Sequence, residues 1–158
     1  MSSLDIKKAT HRMTRQKATA KKPYCFTWVG LPNVFLVGVN YRRCSDCSNV
    51  SADIPAPIKL WSMLASKVAL KPSALDGKEI RFLRKFAGKN ASAFATLVGV
   101  SVEQVSRWEH DHNRPEIATD RLIRIIAKPE LAKVVVSLSF DSSVVNNYVL
   151  HYNEGEWY

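Results

Sequence analysis

Between Ser101 and Arg114 the chain reads SVEQVSRWEHDHNR. If this stretch is helical from Val102 to His110, Val105 and Trp108 fall at i and i+3 on an apolar face, which leaves Glu103, Gln104, Ser106 and Arg107 pointing outward. Their chemistry is that of base-edge and phosphate recognition. Arg pairs bidentately with guanine, Gln with adenine, Glu accepts from cytosine N4, and Ser serves either. Asn113 and Arg114 follow in a polar stretch just past the helix, where loops often meet phosphate.

A second cluster is metal-like. Cys44-Ser45-Asp46-Cys47 has the spacing of half a zinc knuckle. A closed structural zinc site takes four ligands, and Cys25 and His11 are the candidates to complete it. Without a second C-x-x-C, the expectation is a degenerate knuckle held by ordinary packing. Zinc on Cys25, Cys44 and Cys47 is the alternative, and no other cofactor is called for. A redox role fits less well, because the pair does not open a helix in a βαβ setting. His110 and His112 are two residues apart and would diverge on a helix, so a cation at a helix C-terminus is the plainer reading. No Ser/His/Asp or Cys/His constellation and no Gly-rich phosphate loop is present, and the acids are scattered without evident pairing, so no enzyme is expected.

The elements that would hold the outward side chains can be read locally. Gly88 to Pro115 reads as two short helices hinged at Gly99, with Ala95, Gly99 and Val105 at the small, turn and anchor positions of a helix-turn-helix. Asn90 caps the first helix, which buries Phe94, Ala95 and Val98. Ser101 and Gln104 form a capping box for the second, with Val100 and Val105 as its staple. Asp76-Gly77-Lys78-Glu79 caps a support helix with Ile80, Leu83 and Ala87 inward and Arg81, Arg84 and Lys85 outward. A last helix starts at Pro115 or Glu116 and ends at Lys128-Pro129.

Around that unit the chain changes character. Residues 1–22 carry seven Lys/Arg against Asp5 and no Gly, Pro or aromatic, which predicts a mobile basic tail. A DNA-tracking arm or a targeting peptide would share that composition. From Tyr24 to Ile54 β-type segments alternate with turns, at Thr27–Val29, Val34–Val37 and Val39–Arg43. Ile54-Pro55-Ala56-Pro57 is a stiff, extended break before a helix over Ile58–Leu70 with Trp61, Leu64, Ala65 and Val68 on one face. After Leu131 the residues are strand-like again, VVVSLSF and then VVNNYVLHY with a turn at Asn153-Glu154-Gly155. Such a hairpin must pack on this chain, completing the β-rich unit, or on another.

The expected fold class is therefore α+β. A basic tail (1–22) precedes a β-rich, knuckle-like unit with a connecting helix (23–70), an all-α helix-turn-helix domain (71–128) that resembles the XRE/lambda-repressor-like type, and a C-terminal strand region (129–158). Net charge is +9, distributed as +6, +2, +4 and −3 over residues 1–22, 23–76, 77–128 and 129–158. A basic body with an acidic end suits a polyanion partner while keeping the terminal piece off it. No apolar run approaches the ~18 residues of a membrane span and the N-terminus has no signal-like core, so a cytoplasmic, nucleoid-associated protein with no membrane partner is expected. Three cysteines cannot all pair, which argues against a disulfide framework.

GLPNVFLVGV, RRCSDC, Ile54-Pro55, LDGKEIRFLRKFAG, GVSVEQVSRWE and DRLIRII together resemble the YgiT-type zinc-finger/helix-turn-helix proteins, the MqsA-like antitoxins and regulators, over about Tyr24 to Ala127. The resemblance implies an N-terminal zinc-knuckle unit that grips a toxin in toxin–antitoxin members, and a helix-turn-helix that binds a palindromic operator in double-stranded DNA as a homodimer. It places DNA contacts on Glu103 and Arg107, and on Asn90 with its neighbours at the start of the preceding helix; Lys89 and Ser92 stand beside Asn90 in the expected set. Ser101, Gln104, Ser106, Asn113 and Arg114 complete the expected DNA-binding set. The chain departs from the family in three places: the first zinc C-x-x-C is absent, position 91 is Ala where a polar side chain is common, and Glu103 stands where an amide can occur. The implied function is an antitoxin-like transcriptional autorepressor; the alternative is a module that sequesters a toxin or other partner through residues 24–70 and 131–158.

Overall fold

The computed structural model describes residues 12–141 and 147–158. Five strands come first: β1 (Met13–Lys17), β2 (Tyr24–Cys25), β3 (Val34–Val37), β4 (Asn40–Cys44) and β5 (Val50–Asp53). Five α-helices follow: α1 (Pro57–Ala69), α2 (Gly77–Phe86), α3 (Ala91–Val98), α4 (Val102–Glu109) and α5 (Ile117–Ala127). A 3-10 turn (Pro129–Leu131), α6 (Ala132–Ser137) and the strands β6 (Tyr148–Asn153) and β7 (Glu156–Trp157) close the chain.

The strands form two sheets. One is antiparallel, in the order β1-β4-β5, and the other runs β2-β3-β6-β7 with β3 and β6 parallel. A parallel pair needs a long crossover, and here the crossover includes every helix of the described chain. β3 and β4 turn at Gly38, whose φ of +88° and 2.2 Å spacing between an ideal Cβ and Tyr152 O admit only glycine. The C-terminal hairpin thus completes the β-rich unit, and its turn uses left-handed Glu154 (φ 49°) and Gly155 (φ 91°).

One apolar core runs through both parts of the molecule. It takes Phe26, Leu31, Val34 and Leu36 from the β-rich unit, Leu60, Leu64 and Val68 from α1, Ile80, Leu83, Phe94, Val105 and Ile123 from the later helices, and Leu150 and Trp157 from the hairpin. Polar side chains tie the same seam. Arg124, fully buried on α5, donates to Asp120 Oδ1 and to the carbonyls of Ala69, Lys71 and Ser73, while Asp120 Oδ2 accepts from Leu75 N–H at 2.7 Å. Glu79 on α2 is paired with Lys71 and accepts from Tyr148 Oη of β6 at 2.5 Å. The sequence segments 23–70, 71–128 and 129–158 therefore share a core, although the helix-turn-helix is contiguous within one of them.

Several expectations are corrected. Residues 12–22 are not a tail: β1 pairs with β4 from Met13 opposite Cys44 to Lys17 opposite Asn40, Tyr41 Oη donates to Gln16 Oε1 at 2.7 Å, and Ala18 is buried. Residues 1–11 lie outside the described residues. Thr27–Val29 is a loop and turn rather than a strand. The break before α1 is not extended throughout, since Ala56 is left-handed (φ 43°, ψ 60°) and Pro57 opens the helix. The inward stripe of α1 begins at Leu60, with Trp61 half-exposed. VVVSLSF is not a strand at any of its residues. Its valines lie on α6, which buries only Val135 against α5, and Arg121 Nη2 donates to Leu138 O at 2.8 Å just beyond it. Pro129 starts a turn that leads directly into α6, and tertiary docking overrides the β preference of three consecutive valines. No helix among the described residues is long and apolar enough to cross a membrane.

Candidate nucleic-acid interface

The three helices α2, α3 and α4 are punctuated as the sequence predicts. Asp76 and Glu79 form a full capping box on α2, with Glu79 N–H donating to Asp76 Oδ1 and Asp76 N–H to Glu79 Oε2, both at 2.9 Å. α2 ends with left-handed Gly88 and the reciprocal bonds Gly88 N–H to Lys85 O and Lys89 N–H to Arg84 O. Asn90 Oδ1 accepts from Ala93 N–H at 2.8 Å at the head of α3, and left-handed Gly99 (φ 81°) ends it. Ser101 Oγ accepts from Gln104 N–H at 3.2 Å at the head of α4. Only that half of the expected capping box forms, because the Gln104 side chain instead reaches Asn113 Oδ1 at 3.4 Å.

The end of α4 is fixed more firmly. Asp111 takes the left-handed conformation (φ 57°), with Asp111 N–H bonded to Trp108 O and His112 N–H to Arg107 O. Its carboxylate then accepts from Gly77 N–H at 2.7 Å, joining the end of α4 to the start of α2. The helices approach so closely there that an ideal Cβ on Gly77 would lie 2.5 Å from Trp108 O and 2.7 Å from Glu109 O. Glu109 is buried. Arg84 grips both its oxygens, at 2.5 and 3.1 Å, Arg81 Nε adds a third contact at 3.2 Å, and Arg84 Nη1 also donates to Lys89 O at 2.9 Å. The expectation that Arg84 points outward is thus overturned. One guanidinium holds the last turn of α4 and the loop that delivers Lys89 and Asn90 to α3.

With Val105, Trp108, Phe94 and Ala95 buried beneath, the outer surface is polar. Lys89, Asn90, Ser92, Ser101, Glu103, Ser106, Arg107, Asn113 and Arg114 are exposed and Gln104 is half-buried, so the ten side chains picked from sequence lie at or near one solvent-facing motif. His110 Nδ1 sits 2.7 Å from Ser106 O, and the His110 and His112 rings stack at 6.3 Å because Asp111 has already ended the helix. Sequence reading missed Arg84, Glu109, Gly77 and Asp111, which hold the motif without belonging to its outer face. The available signal was position: Glu109 falls at i+4 from Val105, on the buried face of α4, and a carboxylate there needs a cation to be buried.

The cysteines are not assembled as a metal centre. Cys44, buried at the end of β4, and Cys47, exposed, are linked by a side-chain hydrogen bond. The Asn49 backbone favours the Cys47 thiolate, but the bond to Cys44, desolvation and the charges of Cys44 and Asp46 outweigh it and hold that thiol above its ordinary value. Cys25 lies on β2 in the other sheet, its Sγ 3.9 Å from Pro32 O. Among the described residues no three His, Cys, Asp or Glu side chains are grouped to hold a metal, and His11 lies outside them. The described donors do not fit a four-ligand zinc site.

Sequence comparison bears on the helical motif. The Escherichia coli K12 protein named as the uncharacterized HTH-type transcriptional regulator YiaG is 38% identical over 68 residues, 42% of this chain and 71% of the relative. The chain belongs to the helix-turn-helix transcriptional regulators. Proteins of the same name from E. coli O6:H1 (CFT073) and O157:H7 match to the same extent. No family model and no solved structure matches. For a helix-turn-helix regulator, the capped and braced α3–α4 pair is the element that family membership points to.

Proposed function

We propose that this regulator binds double-stranded DNA sequence-specifically by laying α4 in the major groove. The observation that carries the reading is the outer face of α4: Glu103, Ser106 and Arg107 stand exposed on a helix whose inner face is buried, whose start is capped by Ser101 and whose C-terminal end is pinned by Arg84 and Asp111. A reading helix must be held this way, because specificity needs side chains presented in a fixed register. Arg107 addresses guanine or phosphate, Gln104 and Ser106 are secondary readers, and Lys89, Arg114 and the start of α3 neutralise backbone. A homodimer would set two such helices ~34 Å apart, one per half-site of a palindromic operator.

Gel-shift titration against DNA selected from a random pool tests this. Arg107→Ala is expected to cost ~1–3 kcal/mol of specific affinity. Arg114→Ala is expected to weaken all sequences alike and reduce the salt slope by about 1. Unchanged affinity in Arg107→Ala would remove α4 as the reader.

The finer reading is an antitoxin-like autorepressor, supported by the RRCSDC, GKEIRFLRK and VSRWE resemblance. A specific observation favours partner sequestration beside it. Trp28 (68% exposed), Ile58 (83%) and Trp61 (49%) line a groove of about 550 Å³ with Phe82 and Phe86, and lone surface apolar residues do not usually cluster in this way. Coexpression with the product of the adjacent reading frame checks it. A complex that survives Arg107→Ala but is lost in Trp28→Ala/Trp61→Ala is the expected result, and no complex at all would count against the autorepressor.

A further inference from the structure

The antiparallel sheet β1-β4-β5 sets Arg15 directly opposite Arg42, with Ser51 opposite Arg42 on the third strand. Directly opposed like charges work against strand pairing. Both arginines are exposed and, among the described residues, neither has an ion-pair partner. The neighbouring row of the same sheet places Lys17 opposite Asn40 and Asn40 opposite Asp53. Arg15, Arg42, Ser51 and Asn40, with Asp53 at the far strand, line a hollow of about 240 Å³. Three cations, a hydroxyl and an amide thus share this part of the sheet with one carboxylate, and the local field is positive.

We propose that this hollow is a phosphate site, and that its occupant is a backbone phosphodiester of nucleic acid. Two guanidinium groups on adjacent strands present planar donor forks to one anion, the arrangement in which Arg outperforms Lys. Ser51 and Asn40 add neutral donors of the kind that contact phosphate oxygens. The lining carries no exposed aromatic anchor, unlike the groove at Trp28, so it suits a polyanion backbone better than a protein surface. The segment after β1 continues the same sign with Lys21 and Lys22, both exposed. The inference rests on the DNA-binding reading above for the identity of the polyanion, and it adds a second, sequence-independent contact contributed by the β-rich unit. The cost of opposing Arg15 and Arg42 is then offset only when a phosphate lies between them.

The test uses the full chain, a mixed-sequence 30-base-pair duplex and fluorescence anisotropy at several NaCl concentrations. Arg15→Gln/Arg42→Gln should lower the slope of log affinity against log salt by about 1, because one phosphate neutralisation is lost. The same double variant should melt no lower than the parent, since it relieves repulsion. A slope unchanged in the double variant, while Arg107→Ala still loses specific affinity, would overturn this site and leave the α4 reading standing. Failure of the parent to bind any duplex would overturn both. Inorganic phosphate is the control ligand: if it raises the melting temperature of the parent but not of the double variant, and the salt slope does not move, the hollow belongs to a free phosphate compound and the nucleic-acid assignment is wrong. A lower melting temperature in the double variant would show that the pair is structural and would likewise overturn the proposal.

Discussion

Glu109 at the end of α4 accepts two hydrogen bonds from Arg84 of α2, Nε to Oε1 at 2.5 Å and Nη2 to Oε2 at 3.1 Å, in a pair whose side chains are only 5% and 10% exposed. Taking one partner from a buried pair strands the other, which costs more than the pair itself contributes. Arg84→Ala should therefore destabilise the protein by ~3–5 kcal/mol. Arg81 is half-exposed and makes a single 3.2 Å contact, so Arg81→Ala should cost under ~1 kcal/mol. Urea titration of both variants checks this, and equal losses would show that the bidentate pair is not what holds α4.

Gly77 gives a steric version of the same test. Its ideal Cβ would fall 2.5 Å from one backbone oxygen and 2.7 Å from another, so Gly77→Ala must push α2 and α4 apart, at ~1–3 kcal/mol. Gly99 is the control, because no atom lies within 4 Å of its Cβ position and only its φ of +81° opposes a side chain. Gly99→Ala should cost ~1–2 kcal/mol from backbone strain. Thermal melts with a gel shift on each variant separate the two effects. Displacement of α4 predicts a larger affinity loss in Gly77→Ala than its stability loss alone would give, and parallel losses in both variants would count against it.

These contacts show what was legible in the sequence. The boundaries of α2, α3 and α4 could be read because their signals are local: Asp76 with Glu79, Asn90, Gly99 and Ser101 act within four residues of where they stand. The exposed face of α4 followed from two apolar residues. What could not be read depends on long-range partners. Glu109 meets Arg84 across 25 residues, Asp120 meets Leu75 across 45 and Glu79 meets Tyr148 across 69, so the acids looked scattered. MTRQK has no alternating pattern and becomes β1 only because β4 lies beside it, whereas the valines of α6 carry a strand signal that docking on α5 overrules.

Tyr148 couples that long-range network to pH. Burial first, and then the charge of Glu79 and the hydrogen bond to it, hold the phenol far above its ordinary value of 10.0. A raised folded-state value means the stabilisation is fully present below the unfolded value and is lost as pH rises past it. Tyr148→Phe should cost about 2 kcal/mol at pH 8, the worth of a hydrogen bond to a charged group. Above pH ~10 the gap between parent and variant should narrow by roughly 1.4 kcal/mol per pH unit. Denaturation from pH 8 to 11 measures it, and a gap independent of pH would show that Tyr148 ionises freely in the folded state.

Zinc content follows from the placement of Cys25 and Cys44 on different sheets. With two sulfurs meeting and no third ligand grouped with them among the described residues, purified protein dialysed against metal-free buffer should retain less than about one equivalent by elemental analysis. A full, tightly held equivalent would mean that a ligand outside the described residues completes the site.

Glu103 is the one acid on the exposed face of α4, one turn before Arg107. A carboxylate there can accept from cytosine N4 but repels every phosphate it approaches, so it trades general affinity for selectivity. Removing one negative charge a few ångströms from a phosphate is worth on the order of 1 kcal/mol in partly solvated surroundings. Glu103→Gln should therefore bind unrelated duplexes about fivefold more tightly. At the position Glu103 reads it should shift preference from cytosine toward adenine, which glutamine pairs with bidentately. Selection of bound DNA from a random pool, run in parallel on parent and variant at one fixed salt concentration, reads both effects at once. Identical selected sequences would place Glu103 outside the groove and would leave Arg107 with Gln104 as the readers of the site.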